Sequence, residues 1–478
     1  MRIQLKKLNT KIFLFLAVFT FTQNILAQKT NILVPTPPMG WNSFDSYGVY
    51  LYEKAAMDNL EAFAEKLKPY GYEYFVIDAG WFGEFKLRPG TIYPAEKHAK
   101  KLNFNEYGLL QPSETYFPKG LQPIIDRCHD LGLKFGLHLM RGIPKAAVKS
   151  NTPVEGTKYF AKDIADTTSI CNWNPQNYGI DMSKPGAQEF YNSLINQMAG
   201  WGVDFIKYDD LVPYPKEIEG IANAIEQCGR PMVLSLSPGG DVDPNHIDAF
   251  KRANMLRVTK DIWDEQKGID EAFQAWRKWQ GKEEPGFWID MDMIPFGQLQ
   301  LMNPKPEGIA GNESKAEIKK KMDSGVIDNF ELLAGKGFNR WSKFTKDQMY
   351  TFITLRALAA SPLMMGGDLP TLDDFSLKLI TDKNLLKCNQ NGVMGHLVYE
   401  ANGIEIWNTP QKNSENGWLG IFNRTSEKKS IVVLLNQLGL STNANYMLKD
   451  VWKNDEILPG KSIDINPNGV CFIKYVKK

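Results

Sequence analysis

The sequence is poor in the residues that build metal and redox sites. It holds five cysteines and five histidines in 478 residues. The cysteines, Cys128, Cys171, Cys228, Cys388 and Cys471, are odd in number and widely spaced, with no CxxC pair. Neither a zinc site nor a redox dithiol is supported, and no metal or organic cofactor is expected. Cys128, Cys228 and Cys471 sit beside apolar runs and read as buried thiols. An excess of charge of one sign is also missing, with 56 basic against 55 acidic residues, so a nucleic-acid partner has no electrostatic footprint. Internal repeats, low-complexity tracts and long flexible linkers are absent as well.

One apolar run stands out near the start. Arg2, Lys6, Lys7 and Lys11, with no acid among them, precede the run 12–19, and Ile25-Leu26-Ala27 offers a cleavage site before Gln28. This is the pattern of a signal peptide and not of a membrane anchor. Residues 1–27 are expected to be removed, leaving a soluble periplasmic or secreted chain with no stable membrane insertion. No cysteine follows the cleavage point, so lipid attachment is not indicated. Loss of those four charges takes the net charge from +1 to −3.

What remains is too long for one typical core and implies a large domain with a smaller one. From residue 38 to about 370, short apolar runs alternate with segments of helical periodicity, the rhythm of βα units. Strands are expected at 39–44, 74–78, 134–140, 204–208, 232–237, 255–259, 287–291 and near 363–365. Helices are expected at 187–199, with Phe190, Leu194 and Met198 on one face, and at 348–360. Eight strands fit a closed (β/α)8 TIM barrel over 28–380. An open doubly wound sheet is the lesser reading, because no glycine-rich dinucleotide turn follows the first strand. The segments 159–178 and 303–314, rich in Asn, Pro and Gly, read as walls of a cleft. After about residue 380 short strands separated by Gly and Asn follow one another, as expected for an antiparallel β-sandwich over 381–478.

A barrel brings its strand C-termini to one mouth. Gathered there would be Trp41, Asp78, Trp81, His138, Arg141, Lys207, Asp209, Asp210, Arg257, Asp261, Asp290 and Asp292. Six carboxylates among arginines and a lysine suit a polyhydroxylated ligand. Glycosidic cleavage needs one ionised carboxylate and one carboxyl group that holds a proton. Lys207 and Asp209 are two apart on one strand and share a face, so the ammonium would keep Asp209 ionised. Arg257 and Asp261 are four apart across the strand end, so Arg257 would instead grip a ring hydroxyl.

The ordered blocks Pro38-Met39-Gly40-Trp41-Asn42-Ser43, Trp201-Gly202-Val203-Asp204-Phe205-Ile206-Lys207-Tyr208-Asp209, Arg257 to Asp261, Trp288-Ile289-Asp290-Met291-Asp292-Met293, Ser361-Pro362-Leu363 and Ile421-Phe422-Asn423-Arg424 carry a resemblance. The chain resembles glycoside hydrolase family 27, the alpha-galactosidase or melibiase family, over about residues 36–475. The resemblance implies a retaining exo-hydrolase of terminal alpha-D-galactose, with Asp209 as nucleophile and Asp261 as general acid/base, about 5 to 5.5 Å apart. It further implies that Asp78, Lys207 and Arg257 bind the sugar and that Trp41 and Trp81 line its pocket. Three departures bear on specificity. Familiar members carry two consecutive acids, a cysteine and a tryptophan where this chain has Asp78-Ala79-Gly80-Trp81. They usually carry an aromatic in place of His138, and a small residue and an acid where Leu139-Met140-Arg141 stand. The end of the fifth strand, Leu236-Ser237-Pro238-Gly239-Gly240, lacks the usual Trp or Glu. A beta-L-arabinopyranosidase, or a hydrolase of another alpha-linked sugar with His138 and Arg141 contacting a substituent, is therefore kept as an alternative. A binder that has lost turnover is disfavoured by the intact pair Asp209 and Asp261. A Schiff-base enzyme is disfavoured because Lys207 beside Asp209 stays charged.

Overall fold

The computed structural model describes residues 32–96, 98–238, 242–305, 307–310, 313–325 and 335–478. The expected export segment and Gly239 and Gly240 lie outside the described residues, as does part of the 303–314 wall. Eight parallel strands, β1 (Met39–Asn42), β2 (Tyr74–Ile77), β3 (Lys134–Met140), β4 (Phe205–Asp209), β5 (Val233–Leu236), β6 (Met255–Arg257), β7 (Trp288–Asp290) and β8 (Leu363–Met365), follow one another in space in chain order, with β8 beside β1. The seam between β7 and β8 is joined one step later. Ile294 bridges Met365 in parallel, accepting from Gly366 N at 3.0 Å and donating to Met364 O at 2.8 Å. The chain therefore forms the expected TIM barrel, and every expected barrel strand is present to within two residues at either end.

Strand alternation sorts the side chains into two cores. Inward-facing Tyr74, Val76, Phe205, Val233, Met255, Trp288 and Met364 fill the barrel axis. Outward-facing Trp41, Phe75, Ile77, Leu137, Leu139, Ile206 and Tyr208 pack under the helices. Helix α1 (Ala187–Trp201) buries Phe190, Leu194 and Met198 as its periodicity requires, and Gly202, at φ 92°, ends it. Helix α2 (Lys346–Leu358) starts two residues before its expected position, where Thr345 and Gln348 form a capping box. It is buried on more than one face because the barrel lies on one side and the C-terminal sheet on the other.

The C-terminal region is antiparallel, as expected. A six-stranded sheet with His396–Ala401 at one edge and Glu456–Ile457 at the other faces a pair formed by Lys429–Val432 and Ser462–Ile465. Ile404, Ile406, Leu419, Ile421, Leu448 and Ile473 fill the space between. The opposite face of the large sheet carries Trp407, which stacks on Trp276 at 3.8 Å between ring centroids, and Phe422, which meets Phe273 edge-on. These aromatic contacts join the two parts. All five cysteines are free thiols, four of them buried and Cys228 half-buried. Among the described residues, no helix is long and apolar enough to cross a membrane.

Candidate active site

The C-terminal ends of the strands surround a cavity with a polar rim of Asn42, Lys207, Ser237, Arg257, Asp290 and Asp292, floored by Phe205, Met255 and Met364. The rim residues Lys207 on β4 and Arg257 on β6 lie at inward positions of their strands, two apart from Phe205 and Met255 beneath them, and Asn42 takes the corresponding place on β1 above Gly40. Lys207 Nζ lies 2.8 Å from Asp78 Oδ2, which also accepts from Asn42 Nδ2 at 2.7 Å. Burial would push the Asp78 carboxyl up, but the Lys207 ammonium holds it below the usual carboxylate range. Burial likewise opposes the charge on Lys207, and Asp78 and Asp209 together raise it.

Asp209, 8% exposed, takes no direct bond from Lys207; its Oδ2 lies 2.9 Å from His138 Nε2, and its Oδ1 is buried without a partner among the described residues. Burial works against its ionisation. The field of Lys207, the His138 hydrogen bond and Arg257 overcome that effect and hold it well below the usual range. The surroundings of Asp209 thus favour its ionised form, with His138 making the contact and Lys207 acting through space.

Across the mouth, Arg257 Nη1 lies 2.9 Å from Asp261 Oδ1 and 3.2 Å from Asp292 Oδ1. The Asp261 side chain is 62% exposed on the loop after β6, while Asp292 is buried. Asp292 has φ 70° and accepts from Ile262 N at 2.7 Å, so it fixes the start of the segment that follows Asp261. Beneath it Asp290, which accepts from Asp292 N, is pushed up to about 6 by burial and by Asp292. Because the folded chain binds this proton more tightly than the unfolded chain, the stability it contributes is complete below about pH 4 and is lost as pH rises through 6. Asp290→Asn is therefore expected to leave the melting temperature nearly unchanged at pH 4 and to raise it at pH 8, with a gain of up to about 3 kcal/mol. A lower melting temperature at pH 8 would contradict this.

Three expected sugar contacts are not placed as foreseen. Trp41 is fully buried and points outward, stacked on Phe75 at 4.8 Å with its indole nitrogen on Gly367 O. Its neighbour Asn42 takes the inward position. Two residues beyond Asn42, the ring of Phe44 lies 5.7 Å from Lys207 Nζ. Trp81 is 1% exposed and braces β3 from behind, donating to His138 O at 2.9 Å. Arg141 follows β3 on its outer side. Its Nε bonds Asp210 at 2.9 Å, its Nη1 bonds Glu217 at 2.8 Å, and its guanidinium lies 3.5 Å over the Tyr214 ring. It is thus committed behind the wall, where its own N–H also ties to Asp209 O at 3.0 Å. Gly142 then turns the chain at φ 83°, with Tyr178 O where a side chain would stand. Asn42 and Phe44 were missed by sequence reasoning; the period of two along β1, continued past its end, was the available signal. Among the described residues, no group of three or more His, Cys, Asp or Glu is arranged to hold a metal ion.

Residues 35–223 match the melibiase family model, and residues 401–475 match that of the alpha galactosidase C-terminal beta sandwich domain. A solved family 27 beta-L-arabinopyranosidase from Geobacillus stearothermophilus is 36% identical, superposes with a TM-score of 0.79, and is matched over 93% of this chain and 97% of its own. The chain belongs to glycoside hydrolase family 27. It is a glycoside hydrolase, and its substrate is a carbohydrate. More distant family relatives include an alpha-galactosidase of Cyamopsis tetragonoloba, 23% identical over 89% of this chain and 81% of that protein. Another is alpha-galactosidase A of Cellvibrio japonicus, 25% identical over 80% and 75%.

Proposed function

We propose that this family 27 enzyme is an exo-acting, retaining hydrolase that releases terminal alpha-D-galactose from oligosaccharides or polysaccharides outside the cytoplasm. Asp209 is the nucleophile and Asp261 the general acid/base. The observation that supports the reading is the setting of Asp209 at the barrel mouth, with Oδ2 on His138 Nε2, Oδ1 without a hydrogen-bond partner among the described residues, and the charges of Lys207 and Arg257 favouring the carboxylate form. Oδ1 attacks the anomeric carbon while Asp261, on its exposed loop, protonates the departing oxygen; Asp261 then takes a proton from the water that opens the intermediate. Asp78, Lys207 and Arg257 supply the fixed charges that orient ring hydroxyls, and Phe44 supplies an apolar surface. The alpha-galactosidases among the relatives favour the galactoside. Export rests on the N-terminal charge and hydropathy pattern.

Beta-L-arabinopyranoside is the second reading, favoured by two observations. It has the galactose ring configuration without the exocyclic CH2OH, and Ala79 leaves out an acid usual in the family. The solved relative from Geobacillus stearothermophilus carries that activity in its name. The test is kcat/KM of the mature protein on para-nitrophenyl alpha-D-galactoside and on the beta-L-arabinopyranoside. A higher value on the galactoside, with the released sugar first appearing in the substrate's anomeric configuration by NMR, is the expected result. The reverse order would transfer the enzyme to the arabinopyranosides, and an inverted sugar would overturn the mechanism.

A further inference from the structure

We propose that His138 is a positioning residue for the nucleophile: it commits Asp209 Oδ2 to a hydrogen bond, presents Oδ1 as the attacking oxygen, and stabilises the carboxylate as it leaves the glycosyl-enzyme. The inference rests on the reading of Asp209 as nucleophile. It assigns to His138 a task other than the sugar contact expected from the sequence.

His138 and Lys207 are register partners on β3 and β4, both inward, so the imidazole reaches the carboxylate two residues further along β4. The contact is 2.9 Å and the ring is 1% exposed. Against an ionised carboxylate, Nε2 must carry the proton. The other ring nitrogen is buried without a partner among the described residues, so Asp209 is the only group there that orients the ring through a hydrogen bond. The indole of Trp81 holds the backbone of His138 from behind, donating to its carbonyl oxygen at 2.9 Å. Lys207 is engaged by Asp78 and Arg257 by Asp261 and Asp292. Among the described residues, no hydrogen bond other than that of His138 reaches the Asp209 carboxylate.

This geometry acts differently on the two half-reactions. In the first, an electron pair of Oδ1 forms the bond to the anomeric carbon as the glycosidic bond breaks, and the leaving oxygen takes the proton of Asp261. Oδ2 becomes an ester carbonyl oxygen and a weaker acceptor. In the second, water bonds the anomeric carbon and gives a proton to Asp261, and the C–Oδ1 pair returns to the carboxylate. The His138 bond then regains its charge-assisted strength. A donor aimed at charge that develops in a transition state contributes most to that step, so His138 serves the departure of Asp209 more than its attack.

His138→Phe should lower kcat on an activated aryl glycoside by about 100-fold, lower KM in parallel, and produce a stoichiometric burst of aryl alcohol before a slow steady state. His138→Asn, which keeps an N–H donor, should recover part of kcat and shrink the burst. A residue of purely structural importance would lower the melting temperature and the active fraction with KM unchanged and no burst; that result overturns the proposal. Should the Phe variant not fold, the wild type trapped with a 2-fluoro glycosyl fluoride decides. An ester through Oδ1, with Oδ2 still about 3 Å from Nε2, supports the proposal, and an ester through Oδ2 refutes it. Labelling of a residue other than Asp209 would instead refute the proposed function.

Discussion

Asp209→Ala is expected to lower kcat by on the order of 10⁴- to 10⁶-fold, because a covalent nucleophile and its activated environment act as a unit. The fold should survive the change. Lys207 keeps its bond to Asp78, so no lone buried ammonium is created. Removing a buried carboxylate also removes a desolvation cost, so the variant should still melt cooperatively. The pair of measurements is decisive: turnover of the aryl substrates, and mass-spectrometric labelling by the 2-fluoro reagent, which should mark Asp209 in the wild type and nothing in the variant. Retained labelling in Asp209→Ala, or a collapse of stability with turnover largely kept, would mean that Asp209 only balances Lys207.

Arg141→Met should have the largest effect on stability. The change strands Asp210 and Glu217 together behind β3 and β4, both buried, and removes the guanidinium over Tyr214. Glu217 would still accept from Tyr191 Oη at 2.5 Å, and its carboxyl is already raised by burial. Asp210 has less support and sits at φ 61°, a backbone conformation unfavourable without a compensating contact. Breaking a buried pair of this kind costs about 3–5 kcal/mol, measurable as a shift of the urea midpoint. Activity should fall with it through displacement of the neighbouring Asp209. An Arg141 that held substrate would instead raise KM and leave the urea midpoint in place.

The alternation of a strand explains both what the sequence disclosed and what it concealed. Lys207 and Asp209 are two apart, and their shared face could be read directly. The same rule separates His138, inward on β3, from Arg141 three residues on, and Trp41, outward on β1, from Asn42. Resemblance to a family block assigns a segment to the site as a whole; strand parity decides which of its members enter. Phe44 shares the parity of Asn42 in the expected strand 39–44, but the observed strand ends at Asn42 and Phe44 opens the helical turn Phe44–Tyr47.

Local pattern by itself determined the βα rhythm, the change to antiparallel strands, the helix face of Phe190, Leu194 and Met198 and the candidacy of Asp209 and Asp261. These follow from hydrophobic period, turn residues and residue type, all properties of near neighbours. Only the tertiary structure decided that His138 rather than Lys207 bonds Asp209, that Lys207 belongs to Asp78, that Arg257 bridges Asp261 and Asp292, and that Asp290 is raised to about 6. The physical reason is that these choices join carboxylates and cations from different strands. Which pair closes, and whether burial or an opposite charge governs each proton, depends on side-chain distances across the barrel and on the water excluded from it.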